Sequence, residues 1–314
     1  MNIKSTIKSI RPLYITIVNV YNLYIKAINT LRIKLDQFIR HFTWQPRVLS
    51  IEDTINTIKK NKSSVARFGD GEMKLITGLP IQFQKFDCEL SSALEQVLRT
   101  QSSARFIVCI PDTFDSTAKF EKQARKYWER FMEHNRNIWK QHLLKDGTYG
   151  NAFISRPYMI FKDKTKSGQH INSMMSLWEG RDILIVEGEL SRLGVGNRLF
   201  SNTASTTRIL CPNHNAWQYR KEILDACLSF PKDFMILLSL GPTATVLAYR
   251  LSEAGYQAID IGHIDVELEW LNIGATSKIP IKGKIVNEAQ TDEPIDACKD
   301  SQYTASIINK IGVK

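Results

Sequence analysis

Two carboxylates two residues apart, Asp70 and Glu72, alternate with glycines in the run Gly69-Asp70-Gly71-Glu72. A hard divalent cation such as Mg²⁺ or Mn²⁺ takes oxygen ligands, commonly one or two carboxylates completed by substrate phosphates. The same four residues would also make a plain surface turn, because Asp-Gly is ordinary turn chemistry. Arg67, just upstream, suits either a phosphate or an ion pair with an acid. A second run, Glu187-Gly188-Glu189-Leu190-Ser191-Arg192-Leu193-Gly194-Val195-Gly196-Asn197, mixes acids, an arginine and three glycines. Such a loop can bring backbone N–H groups to a phosphate, although it is not the dinucleotide pattern G-x-G-x-x-G. A third, Gly241-Pro242-Thr243-Ala244-Thr245, opens a helix, and its free N–H groups and two hydroxyls make either an anion site or an ordinary capped turn. In a fourth, Gly262-His263-Ile264-Asp265-Val266-Glu267-Leu268-Glu269, ionisable and apolar residues alternate. An extended backbone would set His263, Asp265, Glu267 and Glu269 on one face, with one acid placed to act as general base towards a hydroxyl. There is no P-loop, no H-E-x-x-H and no nucleophile elbow.

Each of these runs follows an apolar segment of strand character. Ser50, with Asp53 three residues on, predicts a capped helix to about Lys60. The pattern then predicts a strand at 64–68, a turn at 69–72, a helical turn at 73–76, a helix at 89–100, a strand at 105–110 stopped by Pro111, and a long helix at 116–144. The second half predicts strands at 182–186, 207–211, 234–240 and 257–261, with helices at 215–230 and 243–254 between them. Strands alternating with helices imply an α/β fold: a mostly parallel sheet with helices on both faces. Ligands of such sheets bind beyond the carboxyl ends of the strands, where all four runs fall.

Composition narrows the classes. At 314 residues, 43% hydrophobic and 24% charged, the chain can bury a large core, which excludes disordered, collagen-like and disulfide-scaffold proteins. The net charge of +10 is concentrated in residues 1–47, where eight basic side chains face one acid, Asp36. The body is close to neutral, which argues against a nucleic-acid partner. Five cysteines (88, 109, 211, 227, 298) at wide spacings predict free thiols and a reducing, cytoplasmic setting. Residues 1–47 read as a basic, amphipathic helical arm with Pro12 in its first turn. The uncharged stretch from Leu13 to Ile25 is broken by Thr16, Asn19 and Asn22. Three roles remain open for the arm: a helix at the inner membrane surface, contacting lipid through residues 1–45; a helix packed on the body or a second subunit; and a single span, for which it is short and polar. The organisation expected is an arm at 1–47, a domain at 48–290 and a tail at 291–314.

Five ordered motifs also resemble a known family. Arg67-Phe68-Gly69-Asp70-Gly71-Glu72, Gly150 to Tyr158, Val186 to Asn197, Leu240 to Thr245 and Asp260 to Glu267 are similar, in that order, to motifs of the bacterial glycosyltransferases of the GT-D fold, long known only as a domain of unknown function. The resemblance spans roughly residues 50–290. It implies a Rossmann-like fold and sugar transfer from a nucleotide sugar, UDP-glucose in the best-known member. A D-x-E motif takes the place of the usual D-x-D, so Asp70 and Glu72 become the expected ligands of Mn²⁺ or Mg²⁺. His263 and Glu269 match the catalytic segment, with Glu269 expected as base, His263 expected to position the diphosphate or orient Glu269, and Asp265 as a weaker candidate. Arg67, Arg156, Glu187, Arg192, Gly194, Asn197, Gly241 and Thr243 become expected substrate-binding residues. The expected partners are a UDP-sugar and a glycan, glycoprotein or lipid-linked acceptor in surface polysaccharide assembly, with a homo-oligomer as a further expectation. The alternatives are a metal-dependent phosphoryl or nucleotidyl transferase, and a non-catalytic nucleotide-sugar-binding partner of glycan enzymes.

Overall fold

A computed structural model describes residues 3–289 and 294–313, with side chains from Tyr14 onward. The first half of the chain runs α1 (Ile3–Ile39), a 3₁₀ turn (Arg40–Phe42), β1 (Arg47–Val48), α2 (Ile51–Asn61), β2 (Ser64–Arg67), α3 (Asp70–Ile76), α4 (Cys88–Leu98), β3 (Phe106–Ile110), α5 (Lys122–His142), β4 (Thr148–Asn151) and α6 (Ser167–Met175). The second runs β5 (Asp182–Gly188), β6 (Ser205–Cys211), α7 (Arg220–Leu228), β7 (Met235–Ser239), α8 (Pro242–Glu253), β8 (Gln257–Asp260), α9 (Ile264–Asn272), α10 (Ser301–Ser306) and β9 (Ile307–Lys310). The strands form one sheet in the order β1-β4-β3-β2-β8-β7-β5-β6-β9, and each pairing is parallel.

The strands are apolar on both faces because both faces are covered. Val65, Ile107, Ile183 and Ile185 enter one core with Ile55 and Ile58 of α2, Ile171 of α6 and Leu268 of α9. Their neighbours Ala66 and Val108 point the other way, onto Leu90 and Leu94 of α4 and Trp139 of α5. Leu184 and Val186 likewise meet Ile223 of α7 and Leu247 of α8.

Local signals set several boundaries. The Ser50 hydroxyl accepts the Asp53 N–H at 3.0 Å and donates to its carboxylate at 2.7 Å, so α2 starts at the predicted cap. Elsewhere the structure differs from the sequence pattern. The predicted 69–72 turn is the first turn of α3. The 116–144 helix is shorter, Lys122–His142. The 215–230 helix opens with a 3₁₀ turn at Ala216–Tyr219, because Asn215 is left-handed (φ 55°). The expected extended run at 262–270 is helical: Ile264 and Leu268 enter the core on one stripe, while Val266 and Trp270 pack on Tyr158 from another. Pro12 falls inside α1, not in its first turn. β1, β4 and α6 lacked a clear sequence pattern, and the stretch set apart as a tail contributes the edge strand β9. Among the described residues no helix is long and apolar enough to cross a membrane.

The sheet packs closely enough that Gly150 in β4 has no room for a methyl group. A Cβ there would lie 2.4 Å from Cys109 Sγ and 2.9 Å from Ile107 Cγ2. Gly150→Ala is expected to destabilise the protein by about 1–3 kcal/mol, the usual cost of overpacking, read by urea denaturation.

Candidate active site

From β2 the chain steps outward to β3 on one side, and β8, β7, β5 and β6 occupy the other. β2 and β8 share a single register pair, Val65↔Ile259, before they part. A crevice therefore opens at the carboxyl ends of these strands, where the winding of the sheet reverses. It is a cleft of about 760 Å³, lined by Arg67, Gly69, Asp70, Glu72, Gly241 and His263 among others. A side-chain bridge crosses the split. Arg67 Nε donates to the Asp260 carbonyl at 2.8 Å, and Nη2 donates to the Asp260 carboxylate at 2.7 Å. Gly262 (φ 47°) makes room for it, since a Cβ there would sit 2.0 Å from Arg67 Nη2. The Thr245 hydroxyl secures both strands, donating to the Arg67 carbonyl at 3.0 Å and lying 3.3 Å from the Asp260 carboxylate.

Asp70 and Glu72 both reach this cleft from the first turn of α3. Asp70 accepts from the Tyr127 hydroxyl of α5 at 2.5 Å and from Lys74 Nζ at 2.9 Å. Burial pushes Asp70 upward, but the bonds from Tyr127 and Lys74, with the charges of Lys74 and Arg156, outweigh it and hold the carboxyl below its usual range. Glu72 accepts the Gly69 N–H at 2.7 Å, closing its own helix. Burial, assisted by the charges of Asp260 and Asp70, drives Glu72 up to about 7. Among the described residues no group of three or more His, Cys, Asp or Glu side chains is arranged to hold a metal. The donor set is thus two hard oxygen ligands on a cleft wall. That fits a cation of the Mg²⁺ or Mn²⁺ type, whose remaining positions go to water and phosphate, and does not fit a closed structural site.

The same cleft is lined by Arg156, His263, Glu288 and Lys278. Arg156 pairs with Glu288. Burial works against its charge, but Glu288, Glu267 and Asp70 keep it firmly cationic. Burial against Glu288 is likewise overcome by Arg156 and His263, so it stays ionised. His263 is pushed below the ordinary histidine range by burial, with Arg156 and Arg67 adding to the effect and Glu288 opposing it. Its imidazole is therefore neutral near pH 7.

A family model described as glycosyltransferase GT-D fold matches residues 65–289. The chain belongs to the GT-D-fold glycosyltransferase family. It is 38% identical over 265 residues to "Glycosyltransferase GlyD" of Streptococcus pneumoniae, a match covering 84% of this chain and 32% of that relative. It is 39% identical over 264 residues to "Probable glycosyl transferase Gly" of Streptococcus gordonii, covering 84% and 39%. The chain thus spans well under half the length of these curated relatives. A solved structure described as a new glycosyltransferase (DUF1792) from Streptococcus sanguinis matches at 39% identity with TM-score 0.83, covering 85% of this chain and 100% of that one. Another, described as the highly conserved domain of unknown function 1792 with a distinct glycosyltransferase fold, matches at 40% identity and TM-score 0.84, covering 90% and 100%.

Of the GT-D site residues expected from the sequence, the cleft gathers Arg67, Asp70, Glu72, Arg156, Gly241 and His263. Seven others lie away from it. Asp265 is fully buried and accepts from the Gly194 N–H, Asn197 Nδ2 and Lys284 Nζ, each at 2.7 Å. Glu269 accepts from Asn197 Nδ2 at 2.7 Å and Lys284 Nζ at 3.3 Å. Because α9 is a helix, positions 265 and 269 share one face, turned to the glycine loop, while Glu267 points elsewhere. Glu267 accepts the Tyr158 and Met159 N–H groups at 2.8 and 2.9 Å. Glu187 is buried against Arg208 at 2.5 Å and accepts the Leu193 N–H at 2.7 Å. Arg192 donates to the carbonyls of Gly283 at 2.8 Å and Asp296 at 2.6 Å. Thr243 is buried behind Gly241, its hydroxyl without a hydrogen-bond partner among the described residues. Nothing in the sequence pattern singles out Tyr127, Lys278 or Glu288. Each is a lone residue in a helix or loop without motif character, and only the fold brings it to the cleft.

Glu72 gives the site a pH signature. Its folded value of about 7 lies above that of an exposed glutamate. In that window the folded state holds a proton that the unfolded chain has released, so the metal-free protein loses stability as pH rises through it. Glu72→Gln keeps an acceptor for the Gly69 N–H and removes the buried charge. The variant is expected to gain stability over the wild type progressively up to about pH 7 and to keep a constant advantage above it, read by denaturant titrations between pH 5 and 8.

Proposed function

We propose that this chain transfers a sugar from a UDP-sugar to the hydroxyl of a glycan, glycoprotein or lipid-linked acceptor, as a step in surface-glycan assembly. One observation carries the reading: a pair of carboxylates and a half-buried, permanently charged arginine line one cleft at the switch point of a GT-D sheet. A sugar diphosphate is a ligand that uses both. Asp70 and Glu72 would hold Mn²⁺ or Mg²⁺, which offsets the charge developing on a diphosphate leaving group. Arg156 supplies a second fixed positive charge to the same group. The hydroxyl proton goes to a cleft-lining base, and His263 suits that role because its ring is neutral and Glu288 favours the imidazolium that forms. This replaces the expectation that Glu269 is the base, since Glu269 is engaged with Asn197 and Lys284 outside the cleft. The free thiols Cys109, Cys211 and Cys227, all buried, accord with a reducing cytoplasm.

A panel of UDP- and GDP-sugars with Mn²⁺, followed by nucleotide release, tests the reaction. Slow hydrolysis to UDP and free sugar without acceptor is expected, whereas release of UMP and sugar phosphate would favour a nucleotidyl or phosphoryl transferase. Asp70→Asn is expected to lower turnover by ~10²–10³-fold, the range for losing one electrostatic stabiliser. Turnover unchanged in this variant and in EDTA would exclude the metal assignment.

The two candidate bases are separated by a paired comparison. His263→Ala should lower kcat by the ~10²–10⁴-fold typical of a lost general base, while Glu269→Gln stays within about threefold. The reverse order would return the role to Glu269.

A further inference from the structure

The first forty residues carry a pattern of their own. Counting from Ile7, every position a of a heptad is large and apolar: Ile7, Tyr14, Tyr21, Ile28, Leu35, Phe42. Position d is the same throughout: Ile3, Ile10, Ile17, Tyr24, Leu31, Phe38. Twelve successive positions at alternating spacings of three and four contain no polar residue, alanine or glycine, and all seven basic residues between Lys4 and Arg40 fall elsewhere. From Tyr14 on, all of these side chains but the half-buried Ile28 are 54–75% exposed. The body holds a different flank of the helix. Asp36 pairs with Arg136 of α5 at 2.7 Å, Arg32 with Glu133 at 2.9 Å, and Gln37 donates to Glu129 at 3.2 Å.

We propose that α1 forms a parallel, in-register two-stranded coiled coil with a second copy of this chain. The period selects the occupant. On a straight helix of 3.6 residues per turn a strict heptad stripe winds by ~20° per heptad, on the order of 100° over this length. A flat bilayer surface loses such a stripe, whereas a partner helix follows it by supercoiling. The flanking charges agree. In the parallel register, Ala27 faces the second copy's Arg32 and Lys34 faces its Ile39, so no two like charges meet across the seam. An antiparallel alignment with the same overlap would set position 11 against position 32, both arginine. The area is also sufficient. Within α1, Tyr14, Tyr21, Tyr24 and Phe38 are 61–65% exposed. Covering these rings on two copies removes on the order of 1,000 Å² of surface before any aliphatic residue is counted, close to a standard stable interface. The proposal is independent of the sugar-transfer reading.

Sedimentation velocity of the full chain at micromolar concentration tests it. The wild type is expected as a two-chain species, and Tyr24→Glu with Leu31→Glu as one chain. Asn19→Glu with Asn22→Glu adds the same charge off the seam and is expected to remain a dimer. Tyr24 and Leu31 are exposed in the single chain, so thermal melts of the body should agree among the three proteins. Under oxidation Leu35→Cys should link two chains through identical positions, beyond any background from the native thiols. A monomeric wild type, a dimer indifferent to the seam substitutions, or no link at position 35 would each overturn the proposal. Flotation of a monomeric wild type with phosphatidylglycerol-rich vesicles would identify a bilayer as the occupant instead.

Discussion

The cleft depends on how Arg67 spans the gap between β2 and β8. Two strands that share one register pair cannot hold their carboxyl ends in a fixed relation through backbone bonds alone. The Arg67 guanidinium supplies the missing connection by donating to both the carbonyl and the carboxylate of Asp260. Both side chains are largely out of water, so removing either would strand a buried charge, which costs far more than a surface pair contributes. The bridge also explains a glycine at 262, where any side chain would occupy the guanidinium's place. Asp260 in turn adds negative potential at Glu72, so the geometry of the sheet and the proton affinity of the D-x-E pair are parts of one arrangement.

The electrostatics of the cleft follow from this frame. Its acids are not equivalent. Asp70 is solvated by Tyr127 and Lys74 and keeps its charge, whereas Glu72 has only backbone N–H groups against its burial and two neighbouring carboxylates. A carboxylate that holds its proton near neutrality is the one that gains most from a nearby cation. In the same cleft, Arg156 is shared among Glu288, Glu267 and Asp70. Its positive charge is therefore fixed in place before any anion arrives, which is the condition for stabilising a leaving group without reorganisation.

Much of this was legible in the sequence, because apolar runs of strand length and spaced amphipathic helices are what a doubly covered parallel sheet requires. The place of Asp70 and Glu72 at a strand's carboxyl end was legible as well, although their spacing alone suited a surface turn and the D-x-E reading came from the resemblance. The 262–270 segment was not. Ionisable residues at every second position imitate a strand, and the competing helical stripe of Ile264 and Leu268 is decided by the core into which they pack. The same error placed His263, Asp265, Glu267 and Glu269 on one face, although only His263, at the helix start, reaches the cleft. Glu187, which the resemblance made a substrate-binding candidate, could not be placed from its motif, because its partner Arg208 lies on the neighbouring strand, far from any motif. The heptad of α1 needed only counting, but its consequence is intermolecular.

The acids outside the cleft explain how part of its lining is held. That part takes Lys278 and Glu288 from the 278–288 segment after α9, which has no helix or strand of its own. Such a segment cannot hold two charged groups in position by backbone pairing. Lys284, in its middle, reaches Asp265 and Glu269 on α9. Arg192, in a left-handed conformation within the glycine loop, takes the carbonyls of Gly283 and Asp296. Asn197 binds both α9 acids from the same loop. Glycine loop, helix and trailing segment are thus tied together by buried polar bonds that are satisfied on both sides, an arrangement that rigidifies where a partly satisfied one would not. Asp265 and Glu269 thus lie within a buried polar network that braces the segment carrying Lys278 and Glu288.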